Sequence, residues 1–265
     1  MKREFAVVGI IAALAVGLLA GWFIPSPLTG DTSRKSLLDT ILDRGYIKIG
    51  TSADYAPFEY VNISTSEIVG FDPDMCGWIA DELGVTIQWS DQGFAGLIAS
   101  CAVGNLDMVA AALTYEANRS SYLAASVSYI SVGQAVVVRN DSVLTITNLT
   151  DLAGLPNIGA QLGTTLYNDL VTAGVTPVPH VTVDAMMLDL IGGGLDAVYI
   201  DEPVYTVWTK TYNLKVILRT GVEEFALWTR YGEPELLYEI NNVILDSFID
   251  GRMQNNLAKW LNITA

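Results

Sequence analysis

Short apolar runs that stop at a turn and give way to an amphipathic stretch recur along this chain, and no other feature limits its fold as much. Residues 46–51 (YIKIGT), 85–89, 108–113, 157–161, 178–183 and the run into Asp201 (DAVYID) read as strands. Helix signals lie between them. Ser36 is placed as an N-cap with Gly45 as its stop, GFDPDMCGWIADELG closes at Gly84, and GFAGLIASCAVGNLD closes at Gly104. Residues 184–191 run into the glycine triplet 192–194, and Pro203 opens a further helix. Strand and helix in turn predict an α/β fold with mostly parallel sheets. Residues 129–139 (YISVGQAVVVR) form a β-rich run long enough to cross between two bodies. Residues 215–218 and 224–229 read as two separate strands, and 233–261 as two amphipathic helices.

The N-terminus sets the compartment. Lys2 and Arg3 precede an uncharged apolar run from Phe5 to Ile24, closed by Pro25 and Pro27. At about 1.5 Å per helical residue this run spans a hydrocarbon core of about 30 Å. The preceding charges orient it with the rest of the chain outside. Cleavage after Ala15-Val16-Gly17 is the alternative, but the apolar run continues past it, so an uncleaved transmembrane helix is expected. Trp22 follows LLAG where a lipoprotein signal needs cysteine. Residues 1–35 are therefore predicted as anchor and linker, and the protein as extracytoplasmic.

A net charge of −15 leaves no basic stripe to meet phosphates, which excludes nucleic acid as a partner. Half the residues are hydrophobic (51%) and only 16% are charged, which excludes disorder. Cys76 and Cys101 lack CxxC spacing and a His partner, so neither a redox motif nor a zinc site is expected. Two small buried hydrophobes are favoured over a disulfide. Asn62, Asn118, Asn140, Asn148 and Asn262 each open an Asn-x-Ser/Thr sequon. His180, in VPHVTV, is read as structural.

Several strand ends carry complementary chemistry. Tyr55 and Phe58 follow one strand, and Phe94 precedes a helix. Thr114 ends the 108–113 strand, with Glu116 in the turn and Arg119 at a predicted helix start. Gly163, Thr164 and Thr165 open another helix, and Asp201 ends the DAVYID run. In open α/β sheets ligands bind beyond the carboxyl ends of strands, so these groups can converge. A guanidinium, a carboxylate and aromatic rings around one cavity describe a site for a small zwitterion.

The order and wording of these segments resemble the family-3 extracellular solute-binding proteins, the amino-acid receptors of ABC importers. The matching pieces are IKIGTSADYAPFEY, GFDPDMCGWIADELG, FAGLIASCAVGNLDMVAAALTYEANR, IGAQLGTT and LDAVYIDEPVY, with PELLYEINNVILDSFIDGRMQNNLAKWL at the end. The resemblance implies a two-lobed periplasmic-binding-protein fold, with residues 36–136 and 224–265 in lobe 1 and 137–223 in lobe 2. It further implies that Arg119 and Thr114 hold a ligand α-carboxylate and that Gly163, Thr164 and Thr165 donate to it from lobe 2. Asp201 would accept from the α-ammonium, Tyr55 and Phe94 would flank the side chain, and Ala112 would offer a backbone carbonyl. An ABC permease is the implied partner. No cofactor and no metal are expected, and a monomer is.

The departures from the pattern are informative. Ser52 stands where relatives that bind lysine or arginine carry aspartate, which argues for a neutral or polar ligand. Gln161 occupies a frequent side-chain contact. Glu116 replaces a capping Thr, where its carboxylate either competes with the ligand or orients Arg119. The usual Tyr-Gly-Ile-Ala of the return strand is replaced within Glu224 to Trp228. Two rival functions share this scaffold. A lyase of the cyclohexadienyl-dehydratase type needs a poised acid, for which Glu116 and Asp201 are the candidates. A sensor module needs an output domain.

Overall fold

The computed structural model describes residues 35–263. The expected membrane helix at residues 5–24 lies outside them. Among the described residues no helix is long and apolar enough to cross a membrane.

The strand–turn–helix units assemble into two five-stranded sheets. In the first, Tyr46–Thr51 is flanked by Thr86–Asp91 and Met108–Val109 in parallel, and Trp228–Arg230 and Leu123–Ala125 follow in antiparallel. The second repeats this plan. Ile158–Gln161 lies between Val178–His180 and Ala197–Asp201 in parallel, and Ile130–Arg139 and Leu214–Phe225 follow in antiparallel. Each sheet is therefore mixed, with four of its five strands running in one direction and one opposing them. The strands expected from strand–helix alternation do pair in parallel, and the connecting segments add the antiparallel ones. A three-stranded ribbon, Asp54–Tyr55, Glu59–Val61 and Ile68–Val69, fills the stretch after the first strand.

Three further expectations change. The strand foreseen at 108–113 pairs only over Met108–Val109, because the chain bends away beyond it and Ala112 takes a left-handed φ of 45°. Arg119 opens no helix. It begins a 3-10 turn, Arg119–Ser121, that leads directly into the Leu123–Ala125 strand. The strand expected at 215–218 and the first two residues of that expected at 224–229 belong to one twelve-residue strand, Leu214–Phe225, while Trp228–Arg230 is a separate strand of the first sheet. The long strand pairs with Ile130–Arg139 through two register irregularities, after Val216 and after Arg219. Those irregularities hid its continuity, since strict alternation fails across a bulge.

Burial explains the layering. Along Ile130–Arg139, Ala135 and Val137 pack with Met186, Met187, Leu190 and Ile200, while Val136 and Val138 pack with Leu166, Leu170 and Tyr199. Period-two alternation with both faces apolar is the mark of a sheet covered on each side by helices. The first sheet follows the same rule. Ile47, Ile49 and Met108 meet Phe71, Met75, Ile79 and Ile240 on one face, and Val109 meets Leu97, Cys101 and Trp228 on the other. Cys76 and Cys101 are free, and both are buried in these separate clusters.

The two sheets are joined where the antiparallel pair ends. There Ser126 N–H donates to Leu227 O (2.8 Å), Tyr129 N–H to Phe225 O (3.0 Å), and Ala226 N–H to Leu113 O (3.1 Å). The helices Pro234–Asp250 and Arg252–Leu261 then return to the first sheet, where Asn256 Nδ2 donates to the Phe71 carbonyl at 3.0 Å.

Candidate functional site

The carboxyl ends of the parallel strands in both sheets face one cleft. Tyr55, Phe94, Ala112, Thr114 and Arg119 line it from the first sheet's side, and Gln161, Thr164, Thr165, Leu166, Asp201 and Glu223 from the second.

Arg119 is 2% exposed. Its Nη1 donates to the Thr114 carbonyl at 2.9 Å and its Nη2 to the Gly163 carbonyl at 3.4 Å, one partner on each side of the cleft. Nε lies 3.2 Å from Glu116 Oε1 without hydrogen-bond geometry, so this is an ion pair by distance alone. Glu116 thus lies beside the guanidinium without a hydrogen bond to it. Phe94 lies beneath it, with Cζ 5.8 Å from the ring centroid. Burial lowers the guanidinium pKa, and Glu116 and Glu223 push it back up. An arginine remains charged through such a shift.

Asp201 is the counterpart, also 2% exposed. Tyr55 OH donates to its Oδ2 at 2.5 Å, while Oδ1 has no hydrogen-bond partner among the described residues. Burial, and then the nearby Glu223 charge, push the carboxyl up to about 8 against the Tyr55 hydrogen bond. A buried acceptor without a donor is rare enough to require an explanation. An incoming ammonium would supply one.

The loop after Ile158–Gln161 brings the second lobe close to the first. Gly163 has φ +88°, and a Cβ there would lie 2.8 Å from Ala95 Cα. Thr164 caps the helix Thr165–Thr172: its hydroxyl accepts from Tyr167 N–H (3.1 Å) and donates to Gln161 O (2.8 Å). Capping consumes that hydroxyl, so Thr165 carries the one that faces the cleft. Thr165 donates to Glu223 Oε1, and Thr114 donates to Glu223 Oε2 at 2.7 Å. Burial raises the Glu223 pKa, opposed by those hydroxyls and by Arg119.

The remaining expected residues take supporting positions. Gln161 donates to Val181 O at 3.3 Å. Ala112 N–H donates to Asp72 Oδ2 at 2.9 Å, and Asp72 also accepts from Tyr129 OH at 2.8 Å, so a buried carboxylate fixes the left-handed turn. Ser52 stands outside the lining and donates to Asp54 Oδ1 at 2.8 Å, while Gly163 contributes its carbonyl. His180 bonds Val178 O and Asp189 through its ring nitrogens and does not line the cleft. Among the described residues no group of His, Cys, Asp and Glu is arranged to hold a metal ion.

Glu223 and Leu166 were not anticipated. Leu166 follows from helical spacing once Thr165 is placed. Glu223 sits in LRTGVEEF, which has no apolar alternation, and only its pairing with Val132 on the neighbouring strand turns it inward.

Two mixed α/β lobes with a buried cation and a buried carboxylate facing one cleft define a binding protein for a small solute. The sequence places the chain more narrowly. Residues 47–263 match the bacterial extracellular solute-binding proteins, family 3, and the chain belongs to that family. The L-cystine-binding protein TcyJ of Escherichia coli (strain K12) is 26% identical, with 95% of this chain and 94% of that protein covered. Among solved structures, a mutant of ArgBP from T. maritima superposes with a TM-score of 0.81 at 31% identity, covering 85% of this chain and 99% of the other. An ancestral amino acid-binding protein, described as a precursor of cyclohexadienyl dehydratase, gives 0.80 at 28% identity, covering 85% and all of it.

Proposed function

We propose that this chain captures an amino acid between its lobes outside the cytoplasm and delivers it, without transforming it, to the permease of an ABC importer. The observation that carries this reading is the placement of Arg119 and Asp201. Each is buried, each lines the same cleft, and they come from opposite sheets. Arg119 and Thr114 take the α-carboxylate, Thr165 adds a hydroxyl from the other side, and Asp201 takes the α-ammonium. Tyr55 and Phe94 flank the side chain. The ligand then bridges both lobes, taken as residues 36–136 with 224–265 and residues 137–223, and shifts their equilibrium towards closure. Ser52 in place of an aspartate favours a neutral or polar side chain. The chain acts as a monomer, and the apolar segment at residues 5–24 tethers it to the membrane, raising its local concentration at the permease.

A thermal-shift screen of the full chain in detergent against the twenty amino acids and L-cystine tests this. A ligand at 100 times its dissociation constant stabilises by about 2.7 kcal/mol. Replacing either member of the charged pair, Arg119→Ala or Asp201→Ala, is expected to weaken that ligand by at least about 2 kcal/mol, because the other pole is left buried and unpaired. Normal binding by either variant in calorimetry would exclude the arrangement.

One observation supports a second reading. An Asp201 carboxyl that titrates near 8 inside a closed cleft suits proton transfer at neutral pH. Turnover of prephenate or arogenate, lost in Asp201→Asn, would assign lyase activity instead.

A further inference from the structure

One hydrogen bond between the lobes lies outside the cleft lining and uses no group assigned to the ligand. Asp54, on the short strand Asp54–Tyr55 of the first lobe, accepts through Oδ2 from the Val183 N–H of the second. Val183 begins the helix Val183–Gly192, and the opening N–H groups of a helix have no partner within it. The N-cap Thr182 satisfies one of them, accepting from Ala185 N–H at 3.3 Å. A carboxylate from the other lobe satisfies another, at the positive end of the helix dipole. Ser52 Oγ donates to the second oxygen of Asp54 at 2.8 Å, which leaves Oδ2 turned to the helix. Burial raises the Asp54 pKa, the bonds from Val183 and Ser52 lower it, and repulsion from Asp184 and Asp91 raises it again. Both bonds thus favour the charged form. Alongside, the chain before the helix approaches the first lobe: a Cβ on Gly93 would lie 3.5 Å from Val181 Cγ1.

The geometry points to Asp54 as a positioning residue for lobe closure, aimed by Ser52 and seated on the start of a second-lobe helix as the cleft shuts. This deepens the amino-acid reading and rests on it. Asp54 touches no ligand. Its bond to Val183 exists only while the lobes are together, so it adds the net worth of one charge-assisted hydrogen bond to the closed form. With the lobes apart, both groups return to water, and neither is left buried and unpaired. The contact therefore favours closure without enforcing it, and the bridging ligand supplies the rest. Its effect runs through the closure equilibrium, so it is the same for every ligand that closes the lobes. It also gives Ser52 a task apart from the ligand side chain.

Cross-linking in the full chain in detergent reads closure directly. Gly93→Cys with Val181→Cys places two thiols across the contact, and the native cysteines are buried. The rate of disulfide formation under diamide then follows the closed population. Without any amino acid, Asp54→Ala should slow it about tenfold, and Asp54→Asn and Ser52→Ala by less, with unchanged circular dichroism as the folding control. Val183→Pro removes the donor at a helix position that accepts proline, and adding Asp54→Ala to it should slow cross-linking no further. In the affinity arm, L-arginine and L-glutamine are titrated into chains that keep Gly93 and Val181. Whichever binds the wild type should bind Asp54→Ala about tenfold more weakly, and if both bind, their ratio should not change. Equal cross-linking rates with Asp54 and with alanine overturn the proposal, as do no cross-linking at all, additive losses in the Val183→Pro pair, or an unchanged affinity. A loss for one ligand alone also overturns it, by making Asp54 a ligand contact. If no amino acid binds, the amino-acid reading fails on its own, and the rates without ligand still decide the role of Asp54.

Discussion

Asp201 is held largely protonated at neutral pH by burial and by Glu223, yet it can pair with an ammonium only once ionised. Binding of an amino acid at pH 7 should therefore release about one proton. Calorimetry in buffers of different ionisation enthalpy would detect it, and Asp201→Asn should abolish it. The sign follows directly. Below pH 8 each unit makes ionisation about 1.4 kcal/mol harder, so affinity should fall about tenfold per unit as pH drops and level off above pH 8. At this scale the sequence was informative about charge and silent about pairing. Asp201 stands at a strand end and Arg119 in the turn beyond one, where residue type alone suggests a ligand. Glu223 lies in a polar stretch whose inward face is set by a distant strand, and nothing local marks it.

Elements were legible wherever a local signal ended them. Ser36, Gly45 and Gly84 bound their helices as expected, because caps and left-handed stops act on immediate neighbours. The segment around Arg119 was misread as a helix start because its polar pattern resembles one. In the fold, Tyr115 N–H donates to Glu224 O at 2.7 Å, and Thr114 bridges to Phe225, so long-range pairing overrides the local preference. The second-lobe loop offers a test at this scale. Thr164→Ala removes the cap of Thr165–Thr172 and should cost about 1 kcal/mol of stability in a denaturant titration. Gly163→Ala places a methyl group against Ala95 and strains a φ of +88°, so ligand affinity should fall as well. A Gly163→Ala protein that binds as tightly as the wild type would show that this close approach is dispensable.

For the whole molecule the buried carboxyls act together. Asp72 is pushed up to about 6 and Asp201 to about 8, and burial also raises Glu59 and Glu223. Each binds its proton more tightly when folded than when unfolded, so each stabilises the fold fully below the unfolded carboxyl range. That contribution is lost as pH rises through the folded values. The ligand-free protein should therefore melt at a higher temperature near pH 5 than near pH 8, and Asp201→Asn should flatten the upper part of that dependence. A melting profile rising from pH 5 to 8 would contradict the burial described here. The two thiols bear on how such experiments can be run. Since Cys76 and Cys101 are packed into cores on opposite faces of one sheet, they cannot reach each other, and burial pushes the Cys101 thiol up to about 12. Neither should react with a maleimide until the chain unfolds, and added dithiothreitol should leave the melting point unmoved. Reporter dyes can thus be attached through newly introduced surface cysteines without first deleting the native pair.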